Sequence, residues 1–207
     1  MRNTLDSFVF VLLLLFVNGC SVMTESECRL ANWHTVGFED GSQGHLSSRV
    51  GIYRKDCSDY SVVPDFKAYQ AGYQRGLQRY CTASRGYAEG EQGKHYQGVC
   101  PSALEARFLS GYQRGHEVYQ ARQHWQSITQ KISTLEQDLR SLRTELSTKE
   151  RELIEQGDHI DKRSALMNSI NHIRAKEFQL QNELYRLQSD ERWAREEYDV
   201  IRLRNTR

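Results

Sequence analysis

Apolar residues recur at steps of three and four through the second half of the chain. They fall at Ile128, Ile132, Leu135, Leu139, Leu142, Leu146 and Leu153, and then at Leu166, Ile170, Ile173, Leu180, Leu184, Leu187, Ala194, Tyr198 and Ile201. This is the a/d spacing of a coiled coil. The heptad phase jumps at residues 156–159, where Gly157 suits the end of one helix and Asp158 the N-cap of the next. The pattern predicts an antiparallel hairpin over residues 121–207, with a turn near 157–159 and arms about 60 Å long. The alternative is that two chains pair through the same seam as an intermolecular coiled coil.

Aromatic residues and glycines form helical stripes in the first half. They lie at Tyr69, Gly72, Tyr73, Gly76 and Tyr80, again at Phe108, Gly111, Tyr112, Gly115 and Tyr119, and in a related stripe at Trp33, Gly37, Gly41 and Gly44. This spacing puts the residues of each stripe on one face of a helix. Because a helical glycine costs about 1 kcal/mol relative to alanine, several on one face indicate that helices approach closely there. We therefore predict helix-packing contacts at Gly37, Gly41, Gly72, Gly76, Gly111 and Gly115; the alternative is that these glycines lie in turns.

The stripe from Tyr69 to Tyr80 and the stripe from Phe108 to Tyr119 belong to an internal duplication. The segment YQAGYQRGLQRYC aligns with FLSGYQRGHEVYQ, and GFEDGSQG aligns more loosely with GYAEGEQG. Four cysteines follow Cys20, an even number that indicates two disulfides in an exported chain. Pairing Cys28 with Cys57 and Cys81 with Cys100 treats the two copies alike, and this is the pairing that we expect.

The composition changes near residue 120. Twelve of the fourteen glycines lie between Gly37 and Gly115, and nine of the eleven tyrosines between Tyr53 and Tyr119. The fold class predicted is therefore all-α, with a disulfide-stapled, duplicated helical domain over residues 28–120 and the coiled-coil hairpin after it. The whole chain has 28 Lys and Arg against 27 Asp and Glu. No basic face stands out, which argues against nucleic acid as a partner.

The N-terminus has the pattern of an export signal. Phe8 to Val17 is an unbroken apolar run that is too short for an ordinary membrane-spanning helix. It is followed by Asn18-Gly19-Cys20, which resembles the lipobox of bacterial lipoproteins. We expect a signal peptide over residues 1–19, lipidation with palmitate at Cys20 and a lipidated tether over 20–27; the alternative is an ordinary secretory signal. Ser21 replaces the aspartate that marks inner-membrane retention in such lipoproteins, and the resemblance therefore implies the outer membrane.

Three segments together resemble a known family. WHTVGFEDGSQG, YQAGYQRGLQRYC and GYAEGEQGKHYQGVCP are similar to the domain-of-unknown-function family 2799, whose members are mostly proteobacterial lipoproteins. The resemblance covers roughly residues 28 to 120 and implies no activity. The recurring residues of the family appear here as Trp33, Gly37, Asp40, Gly41, Gly44, Tyr69, Gly72, Gly76, Leu77, Tyr80, Cys81, Gly90, Gly93, Tyr96 and Cys100, and they look structural.

Residues that could carry chemistry are few. The seven histidines form no HExxH or similar metal-ligand spacing, although His116 and His124 could share one helix face. Asp40 and Glu89 occupy equivalent glycine-rich positions and could act as an acid–base pair, but caps or ion pairs are the commoner role for such residues. The sequence thus predicts no catalytic residue, no metal and no cofactor.

These observations favour a non-enzymatic outer-membrane lipoprotein that faces the periplasm and uses its coiled coil as a spacer or as a docking arm for an envelope protein, with self-association as a further option. A second hypothesis is a glycan-binding or peptidoglycan-binding module with a candidate ligand surface at Trp33, Tyr69, Tyr73 and Tyr112, because exposed aromatic rings stack on sugars. A third is a hydrolase that uses Asp40 or Glu89.

Overall fold

The computed structural model describes residues 22–155 and 159–205, and the regular structure within these ranges is helical. The helices are α1 (Glu25–Leu30), α2 (Trp33–Gln43), a short 3₁₀ helix (Ser47–Arg49), α3 (Val50–Ser58), α4 (Phe66–Tyr80), α5 (Ala83–Glu91), α6 (Ser102–Glu155) and α7 (Ile160–Asn205). They fall into two units. The first comprises residues 22–82 and 96–108, and the second comprises residues 83–95 and 109–205. The predicted signal peptide over residues 1–19 and the predicted lipidation site Cys20 lie outside the described residues.

Glycines bring α2 and α4 of the first unit into backbone contact. A Cβ atom added at Gly37 would lie 2.0 Å from the carbonyl oxygen of Tyr69, and one at Gly72 would lie 1.8 Å from that of His34. Gly41 and Gly76 face carbonyl oxygens at 2.2 Å in the same way. No other residue fits at such distances, so the prediction that these four glycines lie in a helix-packing face is confirmed.

Local signals set the ends of both helices. The Asp65 carboxylate caps α4 by accepting a hydrogen bond from the backbone N–H of Ala68 at 2.9 Å. Gly44 ends α2 in a left-handed conformation, with a φ of 75°. A Cβ there would lie only 2.2 Å from the Tyr80 ring, so the turn needs glycine both for its backbone angle and for space.

The first turn of the described chain is folded onto the first unit. The backbone N–H groups of Val22 and Met23 donate to the Asp56 carboxylate, and Thr24 forms a capping box with Glu27 at the start of α1. The tether expected over 20–27 is therefore shorter than predicted, because it is hydrogen-bonded from residue 22 and helical from residue 25.

Disulfides and rings complete the core of the first unit. The disulfides join Cys28 to Cys57 and Cys81 to Cys100, the pairing that the duplication predicted. Phe108 is fully buried, with the rings of Tyr80 and Tyr96 at centroid distances of 5.2 and 4.7 Å. Ring contacts at these distances are favourable beyond the area that they bury.

The second unit repeats the glycine contacts between α5 and α6. The Cβ positions of Gly111 and Gly115 would lie 1.9 and 2.1 Å from the carbonyl oxygens of Ala83 and Tyr87. Gly93 has a φ of 69° and meets the ring of Tyr119, just as Gly44 meets that of Tyr80. The repeated GYQRG thus marks a repeated packing contact, and the helix-packing prediction also holds for Gly111 and Gly115.

Helices α6 and α7 pack antiparallel as a hairpin in the second unit. The buried seam consists of Ile128, Leu135, Leu139 and Leu142 on α6 and Ile170, Ile173 and Ala194 on α7. Ion pairs between the two helices show that they are antiparallel. Arg174, Glu177 and Arg204 follow one another along α7, and their partners on α6 are Glu150, Arg143 and Glu117, which lie progressively closer to the N-terminus. The hairpin is therefore formed within one chain, as predicted, although residues 156–158 of its turn are outside the described ranges.

The arms of the hairpin have about the expected length. The ion pair of Glu117 with Arg204 places the start of the α6 arm near residue 117, so this arm extends about 60 Å to Glu155, and the 46 residues of α7 extend about 70 Å. Helix α6 itself begins at Ser102 and passes through residue 120 without a break, so the change in composition there is not a change in secondary structure.

Candidate functional site

A buried carboxylate cluster lies at the centre of the first unit. Asp40, on α2, is 5% exposed and accepts hydrogen bonds from the hydroxyl groups of Tyr53 and Tyr69 at 3.0 and 2.8 Å. The guanidinium Nε of Arg49 lies 3.4 Å from the same carboxylate and donates to the Tyr53 hydroxyl at 2.8 Å. Three elements, α2, α3 and α4, are thus joined by one acidic side chain and its donors.

The electrostatics of this cluster keep its tyrosines protonated. Burial, and then the hydrogen bond to Asp40, raise the pKa of Tyr69 far above its ordinary value. Burial also raises the pKa of Tyr53, and the hydrogen bond to Tyr53 raises the pKa of Arg49. The tyrosine hydroxyls keep their protons, and the Asp40 carboxylate already accepts hydrogen bonds from both of them. The arrangement therefore suits a structural anchor better than a proton-transfer centre.

A groove of about 600 Å³ opens beside this cluster. Its walls come from α1, α2 and the region of Arg49 and Tyr53, and they mix apolar side chains such as Leu30 and Val36 with the acidic Glu39. The Asp40 side chain borders the groove, but its described hydrogen bonds go to the protein's own groups.

Glu89 is the equivalent of Asp40 in the second unit, with different partners. It is 8% exposed and forms ion pairs with Arg85 at 2.9 Å and Lys94 at 3.5 Å. In both copies the backbone carbonyl of the acidic residue accepts from the N–H five residues later, in His45 and Lys94. Each carboxylate is thus bound by groups of its own unit, which agrees with the ion-pairing role considered from the sequence and not with the capping role.

Three of the four aromatic residues of the candidate ligand surface are buried. Tyr69 is 0% exposed, Trp33 and Tyr73 are buried, and Tyr112 is partly buried. The hydroxyl groups of Tyr73 and Tyr112 donate to the backbone carbonyls of His45 and Lys94, respectively. The expectation of exposed tyrosines needs correction, because these rings fill the space that the glycine contacts leave beside the helices.

His116, one of the two histidines that could share a helix face, packs among tyrosine rings. His116 stacks between the rings of Tyr112 and Tyr119 at centroid distances of 5.8 Å. Its Nδ1 atom is buried without a hydrogen-bond partner, as is the Tyr87 hydroxyl. No group of three or more metal-ligating side chains occurs within residues 22–155 and 159–205.

The hairpin carries an apolar surface that the a/d pattern did not predict. Large apolar side chains on α7 are exposed to solvent: Ile160, Met167, Phe178, Tyr185, Trp193, Val200 and Leu203. We call this set the α7 outer face. The signal in the sequence was the spacing of Phe178, Tyr185, Trp193 and Val200, at steps of seven, eight and seven, which repeats one face of a helix. In the described part of α6, Ile154 is the one large apolar side chain of comparable exposure.

Comparison with protein families identifies one segment of the chain. Residues 32–117 match the family model described as a protein of unknown function (DUF2799). These residues are a DUF2799 domain. The domain begins at Asn32, the N-cap of α2, and ends within α6. It therefore includes the two helix pairs that are in contact through glycines, α2 with α4 and α5 with α6, and it leaves out α7. Neither a curated protein nor a solved structure matches the chain significantly. Among the described residues, no helix has the length and apolar character required to cross a membrane.

Proposed function

We propose that the protein is a non-enzymatic lipoprotein of the bacterial outer membrane, facing the periplasm, whose coiled-coil hairpin is an interaction arm for another envelope protein. The observation that carries this proposal is the second apolar surface of the hairpin. The seam between α6 and α7 is already closed by residues of one chain, yet α7 also presents the α7 outer face to solvent. A hairpin that served only as a rigid spacer would need one apolar seam, whereas an exposed apolar stripe is typical of an interaction surface.

The membrane anchor rests on the sequence that ends at Cys20. The apolar run from Phe8 to Val17 and the cysteine after it support cleavage and lipidation. Acyl chains stabilise attachment by about 0.8 kcal/mol for each buried methylene group, so several chains hold a folded domain at a membrane. Fractionation of cells with labelled palmitate tests this. The wild type is expected in the membrane fraction with label and Cys20→Ser in the soluble fraction without it; a soluble, unlabelled wild type would refute the anchor.

The absence of an enzymatic role is supported by the state of the two acidic residues. Asp40 accepts from two tyrosine hydroxyls with raised pKa values, and Glu89 is held by two cations. The variant Glu89→Gln is informative, because the exposed partners of Glu89 make it a mild change to the fold. A loss of function in cells as complete as that of deletion, with the protein still folded, would point instead to catalysis.

In-cell photo-crosslinking tests the interaction arm. A photoreactive amino acid replaces Arg186, which is exposed beside Tyr185, and in a matched control replaces Ser141, which is exposed on α6. We expect one dominant protein product from position 186 that position 141 does not give. No product from either position, or the same background at both, would contradict the proposal.

A further inference from the structure

The α7 outer face has the pattern of a second coiled-coil seam. Its members lie in a series with steps of three and four that also contains Ser164, Asn171, Ala175, Asn182, Ser189 and Glu196. The exposed fractions of the large side chains in the middle of this series run from 43% at Met167 to 78% at Tyr185. Polar residues at a few core positions of a coiled coil are known to set register and orientation at some cost in stability. The series therefore resembles a helix–helix interface more closely than a solvent-exposed face.

The charges along α7 indicate which helix would pair with it. Residues 160–176 contain four basic side chains and one acidic side chain, whereas residues 190–199 contain five acidic and two basic ones. The two arginines that follow, Arg202 and Arg204, bind Asp199 and Glu117 of their own chain. A second α7 laid antiparallel would bring the basic end of each copy beside the acidic end of the other. A parallel second copy would set like charges together.

The sequence of the α7 outer face also matches itself in that orientation. If two copies cross antiparallel about a point between residues 183 and 184, the facing pairs are Met167 with Val200, Asn171 with Glu196, Phe178 with Ser189, and Asn182 with Tyr185. In these pairs the apolar Met167 faces the apolar Val200, and the ring of Phe178 faces the small Ser189. Each asparagine faces a side chain that can accept a hydrogen bond. A two-fold interface must be complementary to itself in this way.

The size of the surface is sufficient for a stable dimer. A face about 70 Å long and about 10 Å wide would bury roughly 700 Å² on each copy, which is close to the standard size of a specific protein interface. A lipid surface fits less well. The face contains two asparagines and a glutamate, and α7 as a whole has nine basic and eight acidic residues rather than the cationic polar face of membrane-bound helices.

We infer that the α7 outer face is the dimer interface of this protein, in which two copies of α7 pack antiparallel. The inference rests on the proposed role of the hairpin as an interaction arm and deepens it: the envelope protein that binds at the α7 outer face is a second copy of this chain rather than a different protein.

Sedimentation of the full-length protein in detergent measures the dimer. We expect the wild type to dimerise, and Phe178→Glu and Tyr185→Glu, which face Ser189 and Asn182 of the other copy, each to weaken dimerisation about tenfold or more. Ile154→Glu is the matched control, because it adds the same charge at an apolar side chain of α6 that is 80% exposed. It should leave the dimer unchanged. A monomeric wild type, or equal loss of dimer in all three variants, would overturn the inference.

A charge pair tests the register. Met167→Lys alone and Val200→Glu alone should each weaken the dimer, since a charge then faces an apolar side chain of the other copy. The double variant should recover most of the lost affinity, because two Lys–Glu pairs form across the antiparallel interface. A double variant weaker than both single variants would exclude this pairing, since parallel copies would set Lys against Lys.

The crosslinking at Arg186 separates this inference from the proposed function. A crosslink to a different envelope protein, together with a monomeric wild type, would exclude the dimer and support the role of the hairpin as an interaction arm. A crosslink between copies supports both. The absence of any product, together with a monomeric wild type, would remove both.

Discussion

Of the glycines within residues 22–155, Gly72 leaves the least space for an added Cβ, and it gives the sharpest test of the packing described above. In α4 the Cβ of an alanine at this position would lie 1.8 Å from the carbonyl oxygen of His34, 2.7 Å from its carbonyl carbon and 3.0 Å from the backbone nitrogen of Phe38. These are backbone atoms of α2, which cannot rotate away as the end of a side chain can. The substitution Gly72→Ala therefore forces the two helices apart.

The size of the effect follows from two opposed terms. Ordinary contact between a methyl carbon and an oxygen requires the helices to separate by about 1.5 Å, and overpacking of this kind costs about 3 kcal/mol. Alanine is favoured over glycine within a helix by about 1 kcal/mol. The net loss of stability is then about 2 kcal/mol, which lowers the melting temperature by about 4–8 °C for a chain of this size.

Thermal unfolding followed by near-ultraviolet circular dichroism is the suitable assay, because six of the eleven tyrosines lie in the first unit and the backbone of the long helices does not contribute to this signal. Gly51→Ala is the matched control. Gly51 lies in the first turn of α3 with nothing within 4 Å of an added Cβ, so its substitution should leave the melting temperature unchanged or raise it slightly. A melting temperature of Gly72→Ala equal to or above that of the wild type would refute the close backbone contact between Gly72 and α2.

Two further predictions concern the buried carboxylates and the tyrosines. Asp40→Asn should lower the free energy of unfolding in urea by about 2–3 kcal/mol, because tyrosine donors lose an acceptor in a buried site, while Glu89→Gln, with its solvent-exposed partners, should cost about 1 kcal/mol or less. A larger loss for Glu89→Gln would invalidate this ranking. Stability should fall as the pH rises above about 10, because unfolded tyrosines ionise there while Tyr69, with its raised pKa, keeps its proton in the folded state. Urea midpoints from pH 8 to 11 should fall less steeply in Tyr69→Phe than in the exposed control Tyr185→Phe; identical slopes would contradict the assignment.

The helix pairs and the hairpin could be predicted because their signals are periodic and local. Gly72 and Gly76 lie one turn apart, and the duplication repeats that spacing at Gly111 and Gly115. The a/d spacing from Ile128 onward likewise specifies a seam without reference to any distant residue. The disulfide pairing followed because the two copies had to be treated alike.

The surroundings of Asp40 could not be predicted in the same way. Its donors come from residues 9, 13 and 29 positions later in the chain, on elements whose mutual orientation the sequence pattern does not specify. Tyrosine is also ambiguous, since its ring suits a core and its hydroxyl suits a surface. The glycan-binding hypothesis therefore required exposed rings at Tyr69 and Tyr73, where the fold buries them. The capping signature of Thr24 and Glu27 was present in the sequence but lay in the segment assigned to the tether.

The backbone contacts at the glycines limit how this domain can evolve. Every other amino acid adds at least a Cβ, and at Gly37, Gly72 or Gly111 that atom would lie within about 2 Å of a carbonyl oxygen, whatever the rest of the side chain. No sequence of gradual, conservative replacements leads away from glycine there, whereas a buried leucine can drift through isoleucine or methionine. Divergence must accumulate at other positions, so distant relatives should keep the two glycines of each helix, four residues apart, after most other similarity has been lost.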